Sequence, residues 1–340
     1  MITLTWKTSV LASAIHAARE IIKSTVAPEG KTAANSASTT ISQELPNTAA
    51  SQQNLRNPLA LLPTHDLESR TLFIESAAAL TANFYAESSS QPRNSQFRNS
   101  APASDVDFCW LELLEQACSG LPHHKLDTSL DCNADLLGDL ESSYRRMYPK
   151  IDEQLMLRAR PIQESWTGFG RGLMAHMKRL TRPDWIVREA TVILVQPILG
   201  GDGIAFPKSK MFLLEAILTN ASPEIPEVLR VAWLASQMSA DKLAEATDSK
   251  SLQQSRSLAI AMMMSTLAAG EVMELSRCDE ATAAKALQLW RIDVTESSHD
   301  ADYESIAKTA ITWWETYLQT RPEIGVSLIA LNKMLQPHDA

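Results

Sequence analysis

Residues 189–218 constrain this chain more than any other stretch, because there the apolar pattern leaves the helical period. Ala190-Thr191-Val192-Ile193-Leu194-Val195 is β-branched and apolar at consecutive positions, the mark of a strand buried on both faces. Gly200-Gly201-Asp202-Gly203 is a tight-turn signal. Ile204-Ala205-Phe206 and the run Met211 to Leu218 supply the return, and Pro207 between them marks a bulge or an edge. The pattern predicts a small antiparallel β-hairpin or sheet over 189–218.

Almost everything else has helical period, so the expected fold class is α+β, mainly α-helical, with the hairpin packed on a helical body. Val10, Leu11, Ala14, Ile15, Ala18, Ile21 and Ile22 share one face of a helix at 8–27. A second helix is expected at 66–86, capped by Asp66 and striped by Leu72, Phe73, Ala77, Leu80 and Phe84. The stretches 31–57 and 88–105 are rich in Ala, Ser, Asn, Gln and Pro. Such composition offers too little apolar surface to offset ordering entropy, so both read as disordered linkers. The expected division is an arm at 1–106 and a globular body at 107–340.

Within the body, helices are expected at 107–118 and 133–147, and in parts over 151–182 with breaks at Pro161 and at Gly168, Gly170 and Gly172. Ser222-Pro223-Glu224-Ile225-Pro226-Glu227 is a helix start, followed by a helix at 226–238. Further helices are expected at 252–276, 280–291, 300–319 and 323–335, with Asp279 and Asp300 as caps. Met262-Met263-Met264 lies in a stretch apolar all round, the pattern of a central core helix.

Composition narrows the function classes. The chain has 340 residues and a net charge of −9, which argues against a general nucleic-acid binder. Residues 141–190 are locally basic and carry Tyr144, Tyr148, Trp166, Phe169 and Trp185, but carboxylates offset more than half of that charge. No segment reaches the roughly 20 apolar residues that span a bilayer. The apolar stretch after Lys7 is followed at once by His16, Arg19 and Glu20, which reads against a secretory leader. The expectation is a soluble, cytoplasmic protein with no membrane contact. Cys109, Cys118, Cys132 and Cys278 form no C-x-x-C pair and read as reduced thiols.

The motifs of common chemistries are missing. None of His16, His65, His123, His124, His176, His299 and His338 pairs with another at i, i+4, so no metal site is expected. Gly168-Phe169-Gly170-Arg171-Gly172 has neither a strand before it nor a Lys-Ser/Thr after it, so no phosphate loop and no cofactor are expected. There is no Gly-x-Ser-x-Gly elbow.

One arrangement points to a known family. A strand, a glycine turn, an edge-like strand, a short loop and then a helix carrying Pro226-Glu227-Val228-Leu229-Arg230 resembles the zinc metallopeptidases. There the helix carries His-Glu-x-x-His, two histidines holding zinc and the glutamate activating water. The resemblance covers about fifty residues and implies a zincin-like fold without metal ligands, since Pro226 and Arg230 offer no neutral ring nitrogen. The same residues also read as plain helix furniture: Glu227 favoured in a first turn and paired with Arg230 at i+3, as a surface or partly buried ion pair.

The expected function is therefore a non-enzymatic interaction or scaffold protein whose partner is another protein. Its arm of two amphipathic helices would suit a partner's groove. The alternative is a hydrolase with a dispersed site, or a degenerate metallopeptidase-like pseudoenzyme. Its candidate residues are Glu215, Glu227, Arg230 and His176, and their convergence in one pocket would favour it.

Overall fold

In the computed structural model of the chain, the described residues are 2–26, 62–90, 102–119, 134–181, 187–239, 256–292 and 303–335. They belong to two compact units, one of Ser9–Ile151 and one of Met1–Thr8 with Asp152–Ala340. The fold is mainly helical with a small four-stranded mixed sheet. No helix among the described residues is long and apolar enough to cross a membrane. The linker expected at 31–57 and the cap expected at Asp300 lie outside the described residues.

The unit Ser9–Ile151 contains α1 (Val10–Val26), α2 (Leu67–Ser90), α3 (Pro102–Cys118) and α4 (Ala134–Met147). Ser9 Oγ accepts the Ala12 N–H at 3.0 Å and starts α1, and Asp66 accepts the Ser69 N–H at 3.0 Å and starts α2. Ile15, Phe73, Trp110, Leu114, Leu140 and Tyr144 meet in the core at no more than 1% exposure. Phe73 and Tyr144 bring their rings to 5.6 Å. So α1 and α2 are not lone amphipathic segments; they bury their apolar faces against α3 and α4. Helix also covers both ends of the stretch 88–105, because α2 runs on to Ser90 and α3 starts at Pro102. Proline at a first helical position loses no hydrogen bond. The expected division at 106 falls inside α3.

The other unit holds the sheet. Its strands are β1 (Thr3–Thr8), β2 (Glu189–Val195), β3 (Gly203–Phe206) and β4 (Met211–Glu215), in the order β1-β2-β4-β3. The hairpin expected across Gly200-Gly201 is not formed. β2 pairs parallel with β1 on one side and with β4 on the other, and only β3 and β4 pair antiparallel, through the turn at Pro207–Lys210. The reason is burial. Val192, Ile193, Leu194 and Val195 are each at most 1% exposed, so β2 is a central strand that needs neighbours on both sides. β1 escaped the sequence reading although Thr3, Thr5 and Thr8 with Leu4 and Trp6 carry strand propensity.

The helices of this unit are α5 (Ile151–Ser165), α6 (Arg171–Leu180), α7 (Glu227–Ser236), α8 (Arg256–Val272), α9 (Glu280–Leu289), α10 (Tyr303–Thr320) and α11 (Ile324–Leu335). The breaks expected at Pro161 and at the glycines do not occur. A π-helical turn, Trp166–Gly170, joins α5 to α6, and Ser165 and Gly170 keep helical dihedrals. Pro161 and Leu157 are both exposed, so water can serve the carbonyl that the proline leaves without a donor. Gly170 is required by packing, since a Cβ there would stand 2.4 Å from the Trp166 indole. α8 is the expected core helix: Met262, Met263 and Met264 are buried, and α6, α7, α9, α10 and α11 pack around it.

Asp279 starts α9 by accepting the Thr282 N–H at 2.8 Å, and that bond holds its carboxyl below the ordinary value of 3.8. A lowered folded-state pKa means that the cap stabilises the protein above 3.8 and fades as pH falls through the lower, folded value. Asp279→Ala should cost about 0.5–2 kcal/mol at neutral pH in chemical denaturation. The gap to the wild type should close in acid. A gap of constant size from neutral pH down to acid would contradict the capping role.

Candidate functional site

Three of the four candidate residues converge where β4 ends and α7 begins. Glu215 closes β4 and has no exposed surface. Its Oε1 accepts the N–H groups of Ile198 and Leu199, both at 2.8 Å. Its Oε2 accepts those of Gly201 at 2.7 Å and Asp202 at 3.1 Å. Four donors on two oxygens is the pattern that suits an ionised carboxylate. All four belong to the connection between β2 and β3, which curls round the carboxylate as a nest of backbone N–H groups. The curl needs positive φ at Gly200 (79°) and Gly201 (143°), conformations open to glycine and strained for other residues.

Arg230 lies on α7, a turn from its start, and is 1% exposed. Its Nε donates to Glu227 Oε2 at 2.8 Å, its Nη1 to the Asp202 carbonyl at 2.6 Å and its Nη2 to the Glu215 carbonyl at 2.8 Å. Nη2 also pairs with Glu227 Oε2. Glu227 is the first residue of α7 and is 9% exposed, and its N–H is taken by Asn220 Oδ1 at 3.1 Å. Of the surface or partly buried pair expected from sequence, the structure has the buried form, with Arg230 1% and Glu227 9% exposed. It ties the helix start to the end of β4 and to the glycine connection.

His176 does not join them. It is half-buried on α6, and among the described residues no hydrogen bond or ion pair links it to Glu215, Glu227 or Arg230.

Chemically, the cluster is well supplied with internal partners. The guanidinium spends its donors on two carbonyls and a carboxylate, and the Glu215 oxygens are each doubly bonded to backbone. Glu227 offers one oxygen beyond its ion pair, on a side chain 11% exposed. Pro226 and Arg230 cannot replace the imidazoles of a metallopeptidase helix, because neither presents a neutral nitrogen lone pair. Sequence reasoning missed the partners of this cluster: the backbone of residues 198–202 and the amide of Asn220. Backbone donors leave no trace in residue identity, and only the glycine pair hinted at an unusual turn. The chain matches no protein-family model, no curated protein and no solved structure.

Glu215→Gln turns an acceptor oxygen into a donor NH2 facing backbone N–H groups. It should cost about 2–6 kcal/mol, since two buried donors at about 1–3 kcal/mol each lose their acceptor. Glu227→Gln removes the anion from a buried guanidinium. It should cost about 3 kcal/mol or more, rather than the about 0.5–1 kcal/mol of an exposed pair. Trp233→Ala is the yardstick, at about 3–5 kcal/mol for a buried indole; Trp233 stacks on Trp290 at 5.1 Å and donates to the Ala259 carbonyl at 3.0 Å. Melting curves of the three variants, read side by side, test this. An unchanged melting temperature for Glu227→Gln would show that the pair does not brace the fold.

Proposed function

We propose that this chain is a non-enzymatic interaction or scaffold protein of the cytoplasm, whose partner is a protein. One observation carries the reading: the polar atoms of Glu215 and Arg230 are spent on the fold's own backbone and on Glu227. A catalytic acid or base needs a polar atom left over for the substrate, in reach of a hydrogen bond. Glu215 and Arg230 have the opposite design, that of a brace. Among the described residues His176 makes no hydrogen bond or ion pair with them.

A second reading is favoured by one specific feature. β2, the glycine connection, the antiparallel edge strand β3, β4 and a helix carrying Glu227 follow in the order that resembles the metallopeptidases. On that reading the chain is a zincin-like pseudoenzyme in which the metal ligands have given way to Pro226 and Arg230 and the glutamate has become structural. Fold alone would not restore an activity.

Turnover separates the proposal from a hydrolase. Wild type and Glu227→Gln, each confirmed as folded by circular dichroism, are assayed against panels of ester, phosphoester and peptide substrates. Neither should turn any of them over. Hydrolysis by the wild type that disappears in folded Glu227→Gln would overturn the non-enzymatic proposal and make Glu227 a general base.

A further inference from the structure

We propose that the open edge of β1 pairs with β1 of a second copy of this chain, antiparallel about a two-fold axis that passes beside Thr5 and runs normal to the sheet. The proposal holds whether or not the chain has a hydrolytic activity.

A sheet ends at two edges, and an edge strand offers a row of backbone N–H and C=O groups to any extended segment that reaches it. The two edges of this sheet, β3 and β1, differ. β3 lies against α7 and the 3-10 turn Gln237–Ser239, and none of its residues is exposed. β1 has β2 on one side and no described strand on the other, and Thr3, Thr5, Lys7 and Thr8 are exposed.

The register shows which groups are on offer. In a parallel ladder the N–H and C=O of one residue point to the same side, and successive residues alternate between sides. The Thr3 N–H donates to the Arg188 carbonyl at 2.8 Å, so Thr3, Thr5 and Lys7 bond inward to β2. Leu4 and Trp6 therefore turn their N–H and C=O groups to the open side, where no described residue takes them. Extended backbone is what matches such a row along its length, so the occupant is a strand and neither a lipid surface nor a nucleic acid.

Among the described strands of this chain, β1 is the one with an edge left to give, so a second copy carries the segment that the first one lacks. Directly opposed residues of an antiparallel pair share a face, so a symmetric pair of β1 strands opposes even positions to even and odd to odd. Pairing along the whole strand then sets Thr5 against Thr5, Leu4 against Trp6 and Thr3 against Lys7. Leu4 and Trp6 form the hydrogen-bonded pairs, made twice by symmetry, each exchanging both of its N–H···O bonds. They are also the half-buried apolar residues of β1, and each covers the other. Lys7, a charge of the kind that guards an edge, faces Thr3 of the second copy and not a second lysine. The two sheets become one, both of its remaining edges are β3, and the pairing closes at two copies.

The test is the oligomeric state of the untagged full chain by sedimentation equilibrium and light scattering over a concentration series. The wild type should form a dimer. Thr5 is exposed in one copy, and across the axis its Cα stands about 4.5 Å from its mate, the spacing of a non-hydrogen-bonded pair. Thr5→Lys and Thr5→Glu should therefore each raise the dissociation constant at least about tenfold, because like charges meet at the axis. Mixing the two variants should restore a dimer of one copy of each. Thr5→Val should keep the dimer, and circular dichroism establishes that these chains are folded. Thr3→Glu, set opposite Lys7, should tighten the dimer about two- to tenfold. Lys208→Glu with Lys210→Glu, on the exposed β3–β4 turn, should leave it unchanged. A wild type that stays monomeric at its highest soluble concentration overturns the proposal and leaves the edge to a strand of another protein. A dimer indifferent to both charges at Thr5 overturns it as well, by placing the contact elsewhere. If Thr5→Lys weakens the dimer while Thr5→Glu strengthens it, Thr5 faces Lys7 and the axis at Thr5 is wrong.

Discussion

A carboxylate with no water around it must be surrounded by donors, and much of the sheet-bearing unit is arranged so that Glu215 is. Its four backbone partners come from one short connection, which fixes the path of the chain between β2 and β3. That path places the Asp202 carbonyl where it accepts both the Glu215 N–H and the Arg230 guanidinium. Arg230 in turn fixes α7 against the end of β4 and holds Glu227 at the helix start. Buried ions are a poor source of net stability, because desolvation opposes what pairing returns. Their consequence here is specificity: a slip of β4 by one residue would turn Glu215 to the other face and strand four N–H groups.

The sheet imposes a second constraint, on the order in which the chain can assemble. β1 and β2 run parallel, and the unit Ser9–Ile151 lies between them in sequence. Parallel pairing over such a separation closes a long loop before its contacts return anything. Within that unit, too, the most extensive packing joins helices that are not neighbours in sequence, α2 with α4 and α1 with α3. The central strand β2 is then the slow partner: apolar on both faces, it is buried only when β1 and β4 have both arrived.

The rod of α5 and α6 shows how a helix survives residues that usually end one. Pro161 removes a donor where water can compensate, and the π turn absorbs the bulk of Trp166 against Gly170. The result is one continuous helical element from Ile151 to Leu180. The sequence signals for a break are real, and their cost is met by exposure at Pro161 and by packing at Gly170.

By itself the sequence determined nearly every helix, because apolar spacing, capping aspartates and prolines at helix starts act locally: Asp66 and Asp279 cap where their positions predicted. It also determined that β2 is buried on both faces and that α8 is core, since a run with no polar face has nowhere else to go. The pairing of Glu227 with Arg230 was legible from their spacing on one helix, whereas nothing in the sequence tied Glu215 to them. Only the tertiary structure decided that β2 takes β1 and β4 as parallel neighbours instead of turning back into a hairpin. Strand partners are chosen by burial on both edges, which no local pattern encodes. Only the tertiary structure decided, too, that Glu215 and Arg230 face backbone. Peptide N–H and C=O groups are the same at every residue, so where they gather to hold a charge is set by the path of the chain and by nothing written in the side chains.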